Sequence, residues 1–112
     1  MPTQKKDINI QVEVDENNVP ASIEWDATDL QGRDKVNCRA MMLSMWDHKN
    51  EDTMRLDLWT KEMTVTEMKV FFHQSLATMA RTLENATKEK QMAEDMRDFT
   101  AYFAEKMEIL EE

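Results

Sequence analysis

The chain is poor in the residues that cross-links and phosphate-binding loops require. Its 112 residues include one cysteine, one glycine and two prolines. The single cysteine, Cys38, excludes a disulfide within the chain and fits a reducing compartment. The single glycine, Gly32, excludes the glycine-rich loops that hold phosphates and dinucleotides. The sequence therefore predicts a domain that folds around an apolar core, without a disulfide and without a nucleotide site.

Catalytic and metal-binding patterns are also missing from the sequence. The chain has two histidines, His48 and His73, and no carboxylate stands three or four residues from His73 to orient it as a base. One cysteine and two distant histidines do not make a zinc site. The acidic turn at residues 47–52 lacks the glycine and the distal glutamate of a calcium loop. We therefore expect no enzymatic activity, no cofactor and no metal.

Positive charge and long apolar runs are scarce. Asp and Glu number 23 against 14 Lys and Arg, which gives a formal net charge of −9. This balance disfavours binding to nucleic acid and to anionic lipid, both of which require basic side chains. No apolar run approaches the roughly 18 residues that span a bilayer, and residues 1–11 show no secretory signal. These patterns predict a cytoplasmic protein without membrane insertion, whose partners are other proteins.

Methionine is abundant, with eleven residues. Its flexible, polarizable side chain suits either irregular gaps in a core or an adaptable binding surface, and the sequence leaves both possibilities open. An apolar content of 41% is sufficient for a folded core and indicates that the chain is not disordered.

The first half of the chain has the alternation of antiparallel strands. Apolar residues alternate with polar ones from Ile8 to Val14, and a turn follows at residues 15–18. A second strand is predicted at residues 21–26, and a polar connector follows it with Gly32 as its turn. A third strand is predicted at residues 36–46 and a fourth at residues 54–58. The sequence thus predicts two hairpins within residues 7–60.

The second half has the periodicity of two amphipathic helices, at about residues 64–86 and 90–110. Thr64 and Glu67 fit a capping box at the start of the first helix. Two apolar stripes follow at helical spacing. Their members are Met68, Phe72, Leu76, Met79 and Leu83, then Met92, Met96, Phe99, Phe103, Met107 and Leu110. The stripes are out of phase, which predicts a turn near residues 85–91.

Strands followed by helices indicate an α+β fold. We expect one domain over residues 1–112, with a four-stranded antiparallel sheet of two hairpins followed by two C-terminal helices. Two helices can cover one face of such a sheet, and apolar residues on both faces of the third strand leave the other face to be covered. Large apolar patches are rare on monomers. We therefore expect a homo-oligomer, most simply a two-fold dimer.

Several residues are candidates for contacts with other proteins. Tryptophan is enriched at interface hot spots, although it is also a common core residue. A row of like charges on the second helix can be a docking surface for a basic partner or a solvated face. The candidates are Met42, Trp46 and Trp59 in the strands, and Glu94, Asp98, Glu105, Glu108 and Glu112 along the second helix.

From Met42 onward the chain resembles a known family. The phrases that carry the likeness are SMWD at 44–47, LDLWTKEM at 56–63, EMKVFFHQSLATMA at 67–80 and MRDFTAYFAEK at 96–106. They are similar to GldC, a small protein associated with gliding motility in bacteria. The resemblance implies a cytoplasmic accessory protein of the gliding machinery, which acts through protein contacts and has no known enzymatic activity.

A second resemblance is architectural and gives an alternative function. Four antiparallel strands followed by two helices, an acidic balance and many methionines resemble the SecB export chaperone. This is an analogy of fold and not of sequence motifs. It implies a holdase for exported surface proteins, which would bind unrelated unfolded chains, whereas an adaptor binds few partners.

Overall fold

The computed structural model describes residues 2–30 and 35–109. These residues form five strands followed by two helices, which confirms the α+β order and the two C-terminal helices. The elements are β1 Ile8–Val14, β2 Pro20–Ala27, β3 Val36–Cys38, β4 Ala40–Asp47, β5 Asp52–Trp59, α1 Val65–Thr87 and α2 Lys90–Lys106. They fall into two compact units, with the strands in residues 1–63 and the helices in residues 64–112. A single domain over residues 1–112 stays a prediction, and Gly32 and Leu110 lie outside the described residues.

The strands form two sheets, so the prediction of one four-stranded sheet is wrong. β1, β2 and β3 pair antiparallel in that order, and β4 and β5 form a separate antiparallel pair. Residues 36–46, predicted as one strand, are divided by a bend at Arg39. Before the bend the chain pairs with β2, and after it the chain pairs with β5.

Ile23 is the most buried large side chain of the three-stranded sheet, with 1% of its surface exposed. Its Cα partners are Val12 on β1 and Cys38 on β3, and residues directly opposite each other share a face of the sheet. Ile10 and Trp25 form the next row on the same face. The predicted alternation of the first hairpin therefore places its apolar side chains together, and Cys38 is a half-buried strand residue.

Asp15 organises the turn between β1 and β2. Its carboxylate accepts hydrogen bonds from the backbone N–H groups of Asn17, at 2.8 Å, and Val19, at 3.0 Å, while Asn18 takes a left-handed φ of 63°. The carboxylate also pairs with Lys61, which follows β5. The ammonium of Lys61 and the backbone donors lower the pKa of Asp15 from 3.8 to about 2, because each favours the charged form.

The second hairpin turns in a similar way, at the predicted residues 47–52. The carboxylate of Asp47 accepts hydrogen bonds from the side-chain amide of Asn50, at 2.7 Å, and from the backbone N–H of Lys49, at 3.0 Å. The bonds from Asn50 are the main cause that lowers the pKa of Asp47. Glu51 takes the left-handed conformation, with φ of 50°. Aspartate side chains thus hold both turns, where glycine is absent.

The predicted capping box starts α1. The backbone N–H of Glu67 donates to Oγ1 of Thr64 at 3.0 Å, and the backbone N–H of Thr64 donates to Oε1 of Glu67 at 3.0 Å. These two bonds satisfy donors that have no partner inside the helix.

The turn between the helices needs no glycine because Lys88 takes the left-handed conformation, with φ of 63°. Its N–H donates to the carbonyl of Glu84 at 2.8 Å. The side chain of Glu84 pairs with Arg97 of α2, and this guanidinium lowers the pKa of Glu84. The ion pair joins the two helices near their connection.

Small residues are the most buried side chains of the helices. Ala80 of α1 and Ala93, Thr100 and Ala104 of α2 are buried. Each of them directly follows a residue of a predicted apolar stripe, and one residue corresponds to a rotation of about 100° around a helix. The larger stripe residues Met79, Met92 and Phe99 remain about half exposed. The stripes are therefore present at the predicted spacing, but their centres are not the most buried positions.

Acid should destabilise the unit that contains the strands, because the charged form of Asp15 stabilises it. The stabilisation is complete above the ordinary pKa of 3.8 and is lost as the pH falls to about 2, since protonation removes the attraction to Lys61. Urea unfolding followed by circular dichroism at pH 7, 4 and 2.5 would measure this loss. We expect the free energy of unfolding of Asp15→Asn to differ less between pH 4 and pH 2.5 than that of the natural chain. Asp29→Asn, which changes an exposed carboxylate on the same unit, is the control, and an equal effect of both variants would contradict the role of Asp15.

Thr64→Ala should lower the free energy of unfolding by about 1 kcal/mol, the usual effect of removing an N-cap side chain. Thr64→Ser keeps the hydroxyl and should differ little from the natural chain. Chemical denaturation of the three proteins would measure the differences. Equal destabilisation by alanine and serine would show that the hydroxyl does not act as a cap.

Candidate functional site

The β4–β5 hairpin brings three of the candidate contact residues to one face. Successive strand residues point to opposite faces, and Cα partners share a face. Trp59 lies opposite Ala40, and Trp46 lies opposite Thr53. We call this face the tryptophan face, and its members are Ala40, Met42, Ser44, Trp46, Thr53, Arg55, Asp57 and Trp59.

The two tryptophans stand at opposite ends of the tryptophan face. Trp46 is 64% exposed and Trp59 is 57% exposed, while Met42 is half-buried. Trp59 is the partner of Ala40, six residues before Trp46, so about 20 Å of strand separates the two ends. The structure thus places the tryptophans on one surface but does not bring them into one cluster.

A polar group that the sequence analysis missed lies between the tryptophans. The guanidinium of Arg55 donates to Oδ1 of Asp57 at 2.8 Å and to Oγ of Ser44 at 2.6 Å. Opposite charges two residues apart on a strand share a face, and that spacing was the available signal. The exposed ion pair contributes little to stability, but it gives the centre of the face a fixed pattern of charge.

The opposite side of the hairpin is almost entirely apolar. We call it the methionine face, and its members are Met41, Leu43, Met45, Met54, Leu56 and Leu58. Met45 and Met54 are Cα partners, and they are 59% and 63% exposed. These methionines lie at the surface of the hairpin, so at least part of the methionine content does not fill a core.

Three of the five acidic candidates lie on α2. Glu94, Asp98 and Glu105 lie on α2 at spacings that place them on one side of the helix, and all three are exposed. Glu94 also accepts a hydrogen bond from Arg97 at 2.9 Å. Glu108 follows the end of α2 at Lys106 and takes a left-handed φ of 57°, so its predicted place on the helix is wrong. Glu112 lies outside the described residues.

Two apolar clefts lie along the helices. One has a volume of about 260 Å³ and is lined by Leu76, Met92 and Phe99 among others. The other has a volume of about 400 Å³ and is lined by Met79, Leu83 and Thr82 among others. Met96 lines both clefts. These clefts suit apolar side chains, since most of the residues that line them are apolar.

A more polar cleft of about 350 Å³ lies beside the bend at Arg39 and includes Cys38, Thr60 and Glu62. Burial raises the pKa of the Cys38 thiol, which disfavours the reactive thiolate. The guanidinium of Arg39 lies 3.7 Å from the carboxylate of Glu62. The hydroxyl of Thr60 is buried without a hydrogen-bond partner among the described residues. This arrangement does not assemble a nucleophile with a base.

The histidines lie apart, since His48 is in the β4–β5 turn and His73 is half-buried on α1. Over residues 2–30 and 35–109, no three His, Cys, Asp or Glu side chains come together as a metal site. Neither helix in the described part of the chain is long and apolar enough to cross a membrane.

Comparison with known proteins identifies a family. The profile of the family described as "Gliding motility-associated protein GldC-like" matches residues 20–109, which include β2 and every later element. Comparison with curated proteins gives no match, and neither does comparison with solved structures. The architectural analogy to SecB assumed a four-stranded sheet, which the described residues do not form. The chain belongs to the GldC-like family of gliding motility-associated proteins.

Proposed function

We propose that this protein is a non-enzymatic accessory protein of the gliding machinery, which acts in the cytoplasm by binding other proteins. The observation that carries the proposal is the tryptophan face, where Trp46 and Trp59 are each more than half exposed. The family description, which names gliding motility, supports the biological setting.

The chemistry of the tryptophan face suits protein recognition. A buried tryptophan at an interface contributes a large apolar area, and such residues dominate binding energy when a partner removes them from water. The Arg55–Asp57 pair between the two tryptophans offers a charged centre that a partner must match. Apolar anchors together with matched charges are a basis for selecting few partners.

The charge of the chain indicates the kind of partner. With a net charge of −9, the protein attracts basic surfaces at long range. Glu94, Asp98 and Glu105 form an exposed acidic side of α2, which suits a basic segment of a gliding or export component. We also propose that the chain self-associates as a two-fold dimer, since β5 ends the two-stranded sheet β4-β5 with a free edge among the described strands.

Tagged protein, captured from the native host after mild crosslinking and analysed by quantitative mass spectrometry, tests the interaction role. We expect a short set of motility or envelope components. Trp46→Ala should reduce their recovery by about tenfold or more, because loss of a hot-spot side chain costs at least about 2 kcal/mol of binding.

Ile8→Ala is the matched control, since Ile8 is an exposed apolar strand residue on β1, which belongs to the other sheet and not to the tryptophan face. Ile8→Ala should recover the same proteins, in the same amounts, as the natural chain. Capture of many unrelated secreted chains would instead favour the holdase alternative. Equal recovery with Trp46→Ala and with the natural chain would exclude the tryptophan face as the contact.

A further inference from the structure

The edge of β5 is a ready surface for another strand. β5 has eight residues and hydrogen-bonds to β4 on one side, and the described sheets give it no strand on the other. A free edge of this length presents a row of unpaired N–H and C=O groups and is a template for strand pairing. A sheet of two strands is also only marginally stable alone. Both considerations favour the addition of a strand at this edge.

The hydrogen bonding of the hairpin shows which residues serve the free edge. The N–H of Thr60 donates to the carbonyl of Arg39 at 2.8 Å, and bonded pairs alternate along an antiparallel ladder. Residues 54, 56 and 58 therefore turn their backbone groups toward β4. Thr53, Arg55, Asp57 and Trp59 turn theirs toward the free edge.

The sequence of β5 is complementary to itself around Leu56. When two copies pair antiparallel with Leu56 opposite Leu56, Arg55 of each copy lies opposite Asp57 of the other. Met54 then lies opposite Leu58, and Thr53 lies opposite Trp59. Every pair is apolar with apolar, opposite in charge, or threonine with tryptophan, all of which are favourable or neutral across strands.

The charges of Arg55 and Asp57 favour this register over the adjacent registers. The two nearest registers that keep the same faces together place Arg55 opposite Arg55 or Asp57 opposite Asp57. Like charges directly opposite each other are destabilising. In the register centred on Leu56, the existing Arg55–Asp57 pair and its symmetric copy form a square of alternating charges. The same register makes Arg55 and Asp57 a hydrogen-bonded pair, and Leu56 a non-hydrogen-bonded pair with itself.

We propose that β5 pairs with β5 of a second copy of this chain about a two-fold axis at Leu56, which gives a four-stranded sheet in the order β4-β5-β5-β4. The methionine faces of the two hairpins then join into one continuous apolar surface. This inference rests on the self-association proposed above and not on the binding of other proteins. It names the surface, the register and the residues that hold the dimer.

Charge exchange tests the register. Sedimentation equilibrium of the full chain should show a dimer, and Arg55→Asp or Asp57→Arg should each raise its dissociation constant about tenfold or more, because two attractive pairs become repulsive. The double exchange, Arg55→Asp with Asp57→Arg, restores the complementarity and should restore the dimer. Lys49→Asp, which changes the charge by the same amount in the exposed turn, should leave the dissociation constant unchanged. Circular dichroism checks that each variant folds.

A cysteine at the two-fold axis gives an independent measurement. In a Cys38→Ser background, Leu56→Cys should form a disulfide between copies under mild oxidation, since the Cβ atoms of a closely spaced pair lie about 4.5–5.5 Å apart. Thr53→Cys is the control, because two copies of this residue would stand about 20 Å apart and should not cross-link.

A natural chain that sediments only as a monomer would overturn the proposal. A dimer that resists both charge variants and does not cross-link at residue 56 would show self-association through another surface, and this also overturns the β5 pairing. The capture experiment with the natural chain and Trp46→Ala tests the binding of other proteins, and it does not depend on the β5 pairing. Failure of the edge pairing can therefore be distinguished from failure of the interaction role.

Discussion

The bend at Arg39 is the constraint on which the arrangement of the strands depends. The chain runs from β3 into β4 across this one residue and exchanges β2 for β5 as its pairing partner. The carbonyl of Arg39 still accepts a hydrogen bond from Thr60, so the residue that separates the two sheets also continues the register of the second. That register decides which side chains form the tryptophan face and which form the methionine face.

The sequence predicted the local elements better than their pairing. Alternation, the turns at Asp15 and Asp47 and the capping box of Thr64 all depend on neighbours in the chain, and each has its expected place. The division of residues 36–46 had no such signal. Alternation determines the face on which a side chain stands, but it does not say which strand receives the backbone hydrogen bonds. The exchange of partners at Arg39 is therefore a property of the whole unit.

Burial in the helices was also only partly predictable from the sequence. Spacing identified the apolar stripes, but the tightest positions belong to Ala80, Ala93 and Ala104. Helices approach closely where side chains are small, so packing volume and not hydrophobicity alone decides which residues are most buried. Packing volume cannot be read from the spacing of apolar residues.

The candidate surface on the β4–β5 hairpin was predictable only in part. Alternation placed Met42 with Trp46, whereas the position of Trp59 on the same face required the register of β4 with β5.

Exposed sulfur on the methionine face makes this surface chemically alterable. Met45 and Met54 are directly opposite each other and are mostly accessible to solvent. Oxidation of a thioether to a sulfoxide converts an apolar side chain into a polar one while the backbone stays unchanged. Two neighbouring sulfoxides would place polar oxygens on the last apolar row of the methionine face, beside the turn at Asp47 and Asp52. Oxidation of Met45 and Met54 would therefore change the polarity of the methionine face without any change in sequence.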